Sequence, residues 1–136
     1  MNTNKLGDIA LAMVIADLIE RQQEVYLPVN DHAKADLVAL VQGKPYKIQV
    51  KHSSDGMVRK DSVTTSKKGI SRSEYQSDEV DIFGVYLSEI KRVIYVPHKH
   101  AGIKIRWVPT KNNQKCWWYE DFLTLDFSVE KQQKRV

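Results

Sequence analysis

Apolar residues recur at helical spacing early in the chain and then give way to short runs typical of strands. Between Leu6 and Arg21, apolar side chains return every three or four residues, which predicts an amphipathic α-helix. The run Glu24–Val29 is short, contains Pro28 and is followed by the turn-forming pair Asn30–Asp31, so it predicts a strand. The chain therefore opens with a helix followed by a short strand.

The next segment, from residue 36 to residue 51, predicts a β-hairpin. An apolar run, Leu37–Val41, leads into a turn signal near Gln42-Gly43-Lys44-Pro45, and a second strand follows. Asp36 stands at the start of the first strand. Folding the chain at the turn therefore brings Asp36 toward the far end of the partner strand.

The second strand of this hairpin carries the strongest chemical signal in the chain. Side chains alternate along a strand, so Gln49 and Lys51 share one face, whereas Ile48 and Val50 point to the core. Asp36 can then share a site with Gln49 and Lys51. A carboxylate and an amide oxygen are hard ligands suited to Mg²⁺, and a nearby ammonium group can hold or activate a water aimed at a phosphate.

The rest of the chain predicts mostly strands and loops. The stretch from residue 53 to residue 77 is polar and forms no core of its own. The predicted elements are a strand around Met57–Thr65, a loop through Lys67-Lys68-Gly69, a hairpin of Asp81–Leu87 with Arg92–Val96, a half-exposed strand Ile103–Val108 with a basic outer face, a short closing helix Trp117–Leu123 and a frayed end from residue 131 to residue 136.

Charge is unevenly distributed over the 136 residues. The net charge is +4, yet residues 51–115 carry 13 Lys and Arg against 7 Asp and Glu, while the segments on either side are each slightly acidic. The positive charge therefore lies after the Gln49–Lys51 motif, where a polyanion would have to lie to reach the candidate site. The charge distribution alone is equally consistent with lysines that are simply solvated at the surface.

Length, cysteine content and hydropathy narrow the class of protein. The chain is long enough for one domain with a substantial core. The lone cysteine, Cys116, has no internal disulfide partner and is expected to be a small buried residue. No apolar run approaches the roughly 20 residues that span a bilayer, and the first residues lack the apolar centre of a signal peptide, so we expect a cytosolic protein.

The order of these motifs resembles a known nuclease family. The supporting segments, in chain order, are Gly7-Asp8 at a helix, Tyr26-Leu27-Pro28-Val29, Ala35-Asp36-Leu37-Val38, Ile48-Gln49-Val50-Lys51, the run from Val80 to Tyr86, and Ile94-Tyr95-Val96-Pro97. An acid followed about a dozen residues later by (D/E/Q)-x-K is similar to the PD-(D/E)XK nuclease superfamily. Within it, the chain resembles the small group I intron homing endonucleases of cyanobacteria. The likeness extends from residue 5 to about residue 123.

The resemblance implies a fold and an activity. The expected class is α/β (α+β), with a restriction-endonuclease-like mixed central β-sheet flanked by helices and one domain over residues 1–136. The expected activity is sequence-specific cleavage of double-stranded DNA in a bacterial cytoplasm, with intron homing as the biological role. Mg²⁺, or another divalent ion such as Mn²⁺, is the expected cofactor. The basic strands and loops within residues 52–115 are expected to bind the DNA.

The resemblance also suggests roles for individual residues. Asp36 and Gln49 would hold the metal, and Lys51 would position the attacking water. The superfamily commonly supplies another acid from the first helix, but Leu11 stands at that position here. Asp8 is the nearest carboxylate and the remaining catalytic and metal-binding candidate, although it also suits a charge that satisfies free amides at the helix N-terminus. Glu24 is a further candidate for an outer metal contact.

Binding of DNA and assembly follow from the same interpretation. A domain of this size covers roughly one duplex turn or less, so a homo-oligomer, a dimer or a tetramer, is expected on a long target. Two alternatives remain open: a Holliday-junction resolvase or repair-type nuclease of the same fold, and a non-catalytic DNA-binding module. The residues expected to contact DNA are Arg59, Lys60, Lys67, Lys68, Arg72, Lys104 and Arg106.

Histidines and tryptophans complete the set of candidates. His98-Lys99-His100 follows Pro97 in a predicted loop, which favours an exposed or phosphate-contacting run over a metal site. His52 adjoins Lys51 and is a further neighbour of the candidate site. Trp107 and Trp117 adjoin apolar positions, so core packing is favoured over base stacking.

Overall fold

The computed structural model describes residues 2–66 and 68–136. Lys67, a predicted DNA contact, therefore lies outside the described residues. The elements are helix α1 (Thr3–Glu20) and strands β1 (Glu24–Tyr26), β2 (Leu37–Val41), β3 (Lys44–Ser53), β4 (Met57–Val58), β5 (Asp61–Ser66), β6 (Gly69–Glu74), β7 (Ile82–Leu87), β8 (Arg92–Pro97), β9 (Ile103–Arg106), β10 (Lys115–Trp118) and β11 (Lys134–Arg135). Short 3-10 helices span His98–His100 and Tyr119–Phe122.

Helix α1 is present, as predicted, but it begins earlier than the apolar spacing indicates, and its apolar residues do not keep to one face, because Ile9 and Ile19 are exposed. The Asn2 side chain caps it, because its Oδ1 accepts a hydrogen bond from the Lys5 amide at 2.9 Å. The helix therefore starts at Thr3, upstream of the first apolar residue, Leu6. Its fully buried face consists of Ala10, Val14 and Leu18.

Helix α1 packs on a mixed sheet that, within the described part of the chain, has the strand order β1-β2-β3-β7-β8. β3 and β7 run parallel, and the other neighbours are antiparallel. A glycine in β7 permits the close approach of the helix. A Cβ added at Gly84 would meet the side chains of Val14 and Ile48 at 3.1 Å. The central strands are thus tightly covered on the α1 side.

A second sheet covers the opposite face of β3 and β7. It has the order β11-β10-β9-β4 among the described residues, with β9 and β10 parallel. Phe83 and Val85 of β7 pack with Ile105 of β9 and Phe122 in one buried cluster. The predicted mixed α/β (α+β) class is confirmed, whereas the predicted flanking by helices is wrong on this face. Strands β9 and β10, within residues 103–118, cover this face instead of a helix.

The structure differs from the sequence predictions at three other places. The first difference arises because short apolar runs do not distinguish strands from helices. Residues 117–123 were expected to be helical but contain the end of β10 followed by a 3-10 helix. The predicted frayed end pairs in part with β10, where Cys116 lies opposite Lys134. The predicted strand 57–65 is divided into β4 and β5, and β5 pairs with β6 as a separate hairpin. Cys116 is buried, as expected.

No helix in the described ranges 2–66 and 68–136 is both long and apolar enough to cross a membrane.

Candidate active site

The β2–β3 hairpin positions the first two candidate residues. Gln42 and Gly43 form its turn with φ angles of 53° and 78°, which suit the tight turns of two-residue hairpins. Leu37 lies opposite Ile48 in the resulting register. Asp36 comes directly before β2, and its amide donates to the Ile48 carbonyl at 2.9 Å. Together with the hydrogen bond from the Val50 amide to the Asp36 carboxylate, this contact places Asp36 beside Gln49 of β3.

The carboxylate of Asp36 lies in a partly buried position. Its Oδ2 accepts a hydrogen bond from the Val50 amide at 2.8 Å. Burial raises the pKa of Asp36 above its usual value, while the Val50 amide and the positive charge of Lys51 act in the opposite direction. A cation placed at this carboxylate would favour its ionised form further.

Gln49 directs a polar atom into the protein interior. Its Oε1 is buried and has no hydrogen-bond partner among residues 2–66 and 68–136. On β7, the opposite residue is the fully buried Phe83. A buried amide oxygen without a partner is energetically unfavourable by about 1–3 kcal/mol. The Gln49 oxygen therefore has an unused capacity to bind a ligand.

Lys51 reaches the same region from the end of β3. Its Nζ donates a hydrogen bond to the Asp61 carbonyl at 2.9 Å. The ammonium group also lies over two aromatic rings, 5.3 Å from the centroid of Tyr75 and 5.5 Å from that of Phe83. Burial lowers the pKa of Lys51, and the carboxylates of Asp61 and Asp36 partly oppose this effect.

A pocket of about 680 Å³ opens beside Lys51. Its walls come from the first turns of α1 at Leu6 and Gly7, from the end of β3, and from Arg59 and Asp61. Arg59 adds a second positive charge at this opening, and Asp55 and Asp61 add two carboxylates. Asp36 and Gln49 are not part of the pocket lining. The pocket therefore makes the Lys51 side of the site accessible from solvent.

The donor atoms of this site fit a magnesium ion. Among the residues that the structure describes, no three His, Cys, Asp or Glu side chains are grouped so that they could hold a metal. Asp36 supplies one carboxylate, and Gln49 supplies one buried oxygen without a hydrogen-bond partner in the described ranges. Mg²⁺ is commonly bound through one or two carboxylates together with waters and substrate phosphates. A site with few protein ligands is therefore chemically suited to Mg²⁺ in the presence of DNA.

The first-helix candidates lie in different surroundings. Asp8 is exposed, and it lies in the second turn of α1, so its alternative role as a charge at the helix N-terminus is wrong. Leu11 packs against the core on the α1 side of the sheet. Glu24 accepts a hydrogen bond from the Tyr26 hydroxyl at 2.8 Å and pairs with Leu40. A strand rise of about 3.3 Å per residue places Glu24 roughly 13 Å from Asp36, too far for an outer contact.

The predicted DNA-binding residues cluster around β4, β9 and the β5–β6 hairpin. Met57 of β4 pairs with Lys104 of β9, so Arg59 and Lys60, which directly follow β4, begin next to the basic strand β9. Four of these side chains are exposed: Arg59, Lys60, Lys68 and Lys104. Arg106 is half-buried, and its Nε has no hydrogen-bond partner in the described residues. The backbone of Arg72 lies opposite Val63 in the β5–β6 hairpin.

Aromatic and histidine side chains occupy more structured positions than predicted. His98 and His100 are half-buried rather than exposed: His98 Nε2 donates to the Tyr75 carbonyl at 2.7 Å, and the His100 ring lies 5.5 Å from that of Trp117. Burial lowers the pKa of His100. Trp107 and Trp117 pack against the buried cluster, as predicted. His52 lines the pocket beside Lys51.

Sequence reasoning missed three residues that surround Lys51. Asp61 offers its carbonyl, while Tyr75 and Phe83 offer their rings. The sequence held a partial signal for Phe83, because it lies on the strongly apolar strand predicted over residues 81–87. Tyr75 lies in a polar stretch and gave no comparable signal.

Comparison with known proteins agrees with this geometry. A model of the PD-(D/E)XK endonuclease family matches residues 1–125. Among solved structures, the chain is similar to a bacterial homing endonuclease, I-Ssp6803I, with a TM-score of 0.67 and 27% sequence identity, covering 84% of this chain and 83% of that chain. No match was found among curated protein sequences. With an acid, a (D/E/Q)-x-K strand and a mixed sheet in the expected order, this chain belongs to the PD-(D/E)XK endonuclease family.

Proposed function

We propose that this protein is a sequence-specific endonuclease that hydrolyses phosphodiester bonds of double-stranded DNA with Mg²⁺. The main support is that the Asp36 amide and carboxylate bond the main chain at Ile48 and Val50, on either side of Gln49, with Lys51 two residues further along β3. Gln49 Oε1 has no hydrogen-bond partner in the described part of the chain, which leaves this oxygen able to bind a metal ion.

Each residue has a distinct role in this proposal. Asp36 and Gln49 would hold Mg²⁺, which when bound supplies a Lewis acid for the scissile phosphate and its attacking water. The Lys51 ammonium has three N–H donors, and one already binds the Asp61 carbonyl. Its remaining donors orient the attacking water and bind a phosphate oxygen. Asp8, exposed on α1, stays a candidate for an additional carboxylate.

A neutral second ligand has a consequence for metal binding. Because Gln49 replaces the usual Asp or Glu, this site carries one negative charge fewer than a site with two carboxylates. The affinity for free Mg²⁺ should then be low, and the DNA phosphate should contribute strongly as a ligand.

Recognition of the target is assigned to the basic side of the domain. The proposed contacts are the exposed Arg59, Lys60, Lys68 and Lys104, together with Lys67, Arg72 and Arg106. The likeness to a bacterial homing endonuclease supports intron homing as the biological role. A long homing target exceeds what one copy covers, so a homo-oligomer, a dimer or a tetramer, is proposed.

Cleavage of a randomised duplex library with Mg²⁺ tests the proposal. The expected result is enrichment of one long sequence among the cut ends. Cleavage only of a four-way junction, compared in a parallel reaction, would instead favour a resolvase or repair-type nuclease of the same fold. Binding without cleavage under Mg²⁺ and Mn²⁺ would identify a non-catalytic DNA-binding module.

A further inference from the structure

The surroundings of Lys51 are unusual for a lysine expected to act on a phosphate. Its Nζ lies over the rings of Tyr75 and Phe83, within the roughly 6 Å range of a cation–π interaction. The Asp61 carbonyl adds one hydrogen bond. A long, flexible side chain is thereby restricted from several directions at once. Such restriction lowers the entropy that is lost when the ammonium engages a substrate.

Tyr75 is itself fixed through its main chain. Its amide donates to the Lys60 carbonyl at 2.8 Å, and its carbonyl accepts from His98 Nε2 at 2.7 Å. The His98 ring stacks on Phe83 with centroids 6.0 Å apart, and the Tyr75 ring meets Phe83 edge-on at 6.1 Å. The two rings around Lys51 therefore belong to one connected arrangement and do not contact Lys51 independently.

Position in the chain separates Tyr75 from an ordinary core residue. Tyr75 follows β6 directly, and Asp61 begins β5, so both contacts to Lys51 come from the base of the β5–β6 hairpin. This hairpin carries the exposed Lys68 at its turn. Phe83, in contrast, is fully buried in β7 and contributes to the packing of the whole domain.

We propose that Tyr75 is a positioning residue for Lys51, holding the ammonium group under its ring in the orientation needed for cleavage. This inference rests on the proposed function, in which Lys51 acts on the scissile phosphate. Tyr75 contacts Lys51 through its ring face, so the proposed role belongs to the ring.

Substitutions at Tyr75 separate the ring from the hydroxyl and from general packing. Tyr75→Phe keeps the ring, whereas Tyr75→Leu and Tyr75→Met remove it and retain an apolar side chain. Tyr119→Leu is the matched control, because Tyr119 packs against the same buried cluster and lies beneath Arg92, at 5.9 Å, instead of Lys51. The Met variant preserves the test if the branched leucine impairs folding.

Single-turnover cleavage at saturating DNA is the first measurement. Loss of the ring should slow cleavage by about tenfold, while the dissociation constant for DNA changes by less than about threefold. Tyr75→Phe and Tyr119→Leu should cleave within about twofold of the unmodified protein. Wild-type cleavage by both Tyr75→Leu and Tyr75→Met would overturn the proposal, as would equal slowing in Tyr119→Leu.

A chemical shift provides a readout that is independent of catalysis. In the metal-free protein, the ε-methylene protons of Lys51 lie near two ring faces and should resonate upfield of ordinary lysine protons. Tyr75→Leu should move this resonance downfield, and Tyr119→Leu should leave it unchanged. An unchanged shift in Tyr75→Leu would show that Tyr75 does not hold Lys51. If the unmodified protein fails to cleave DNA, the proposed function fails, and the shift alone decides whether Tyr75 holds the ammonium.

Discussion

Replacement of Gln49 by leucine should make the protein more stable and nearly inactive. The buried Gln49 Oε1 has no partner in the described residues, so its removal relieves a penalty of about 1–3 kcal/mol in the metal-free protein. Leucine also fits the apolar surroundings near Phe83, which lies opposite residue 49 on β7. We expect the free energy of unfolding to rise by about 1–2 kcal/mol, which corresponds to a Tm increase of about 4 °C per kcal/mol.

The matched assay combines denaturant unfolding without metal and cleavage across a Mg²⁺ titration. Gln76→Leu, at an exposed glutamine, serves as the control and should change neither property. Gln49→Glu should retain cleavage and require less Mg²⁺, because a carboxylate binds the ion more strongly than an amide oxygen. If Gln49→Leu were less stable and cleaved DNA like the unmodified protein at every Mg²⁺ concentration, the assignment of Gln49 as a ligand would be refuted.

Two further predictions concern charge. Lys60→Glu and Lys104→Glu should each flatten the dependence of log DNA affinity on log salt concentration by about one unit or more. Fluorescence anisotropy measures this slope. An unchanged slope would exclude the substituted side chain from the phosphate contacts. Asp36→Asn should stabilise the metal-free protein at pH 7, because burial raises the folded-state pKa of Asp36 and so disfavours its ionised form. The destabilisation by ionised Asp36 is present above its folded-state pKa and disappears as the pH falls below the unfolded value of about 3.9. The gain in free energy of unfolding, measured with denaturant, should therefore vanish in acid. A gain that persists in acid would contradict burial of the Asp36 charge as its cause.

The hairpin that carries the candidate site could be predicted from sequence alone. Alternation over β3 and a Gln42-Gly43 turn fix which residues share a face and which residues are opposed. These are local properties, set by residues within one turn or one strand of each other. The convergence of Asp36 with Gln49 therefore follows from about sixteen consecutive residues.

Long-range pairing could not be predicted in the same way. β4 pairs with β9, so residue 57 meets residue 104, and no local pattern specifies that meeting. The cover over the Gln49 face depends on this pairing. Lys131 illustrates the same limit: the sequence predicts a frayed end at this residue, yet Lys131 is buried, with its Nζ 6.0 Å from the centroid of the Phe122 ring.

The contacts of Lys51 were beyond sequence reasoning for a related reason. A lysine in a (D/E/Q)-x-K strand indicates a role, but its partners Asp61, Tyr75 and Phe83 come from three separate elements. A cation–π contact has no sequence spacing of its own. Only the folded arrangement shows that Lys51 is held by aromatic rings as well as by a carbonyl.

If Asp36 and Lys51 carry out metal-dependent cleavage, replacing either side chain should abolish it. Single-turnover cleavage of the selected duplex is compared for the unmodified protein, Asp36→Asn and Lys51→Ala, at saturating DNA and fixed Mg²⁺. We predict that both variants lose cleavage while their DNA affinity stays within about tenfold, because phosphate contacts elsewhere dominate binding. Cleavage by either variant at the unmodified rate would contradict the assigned active site.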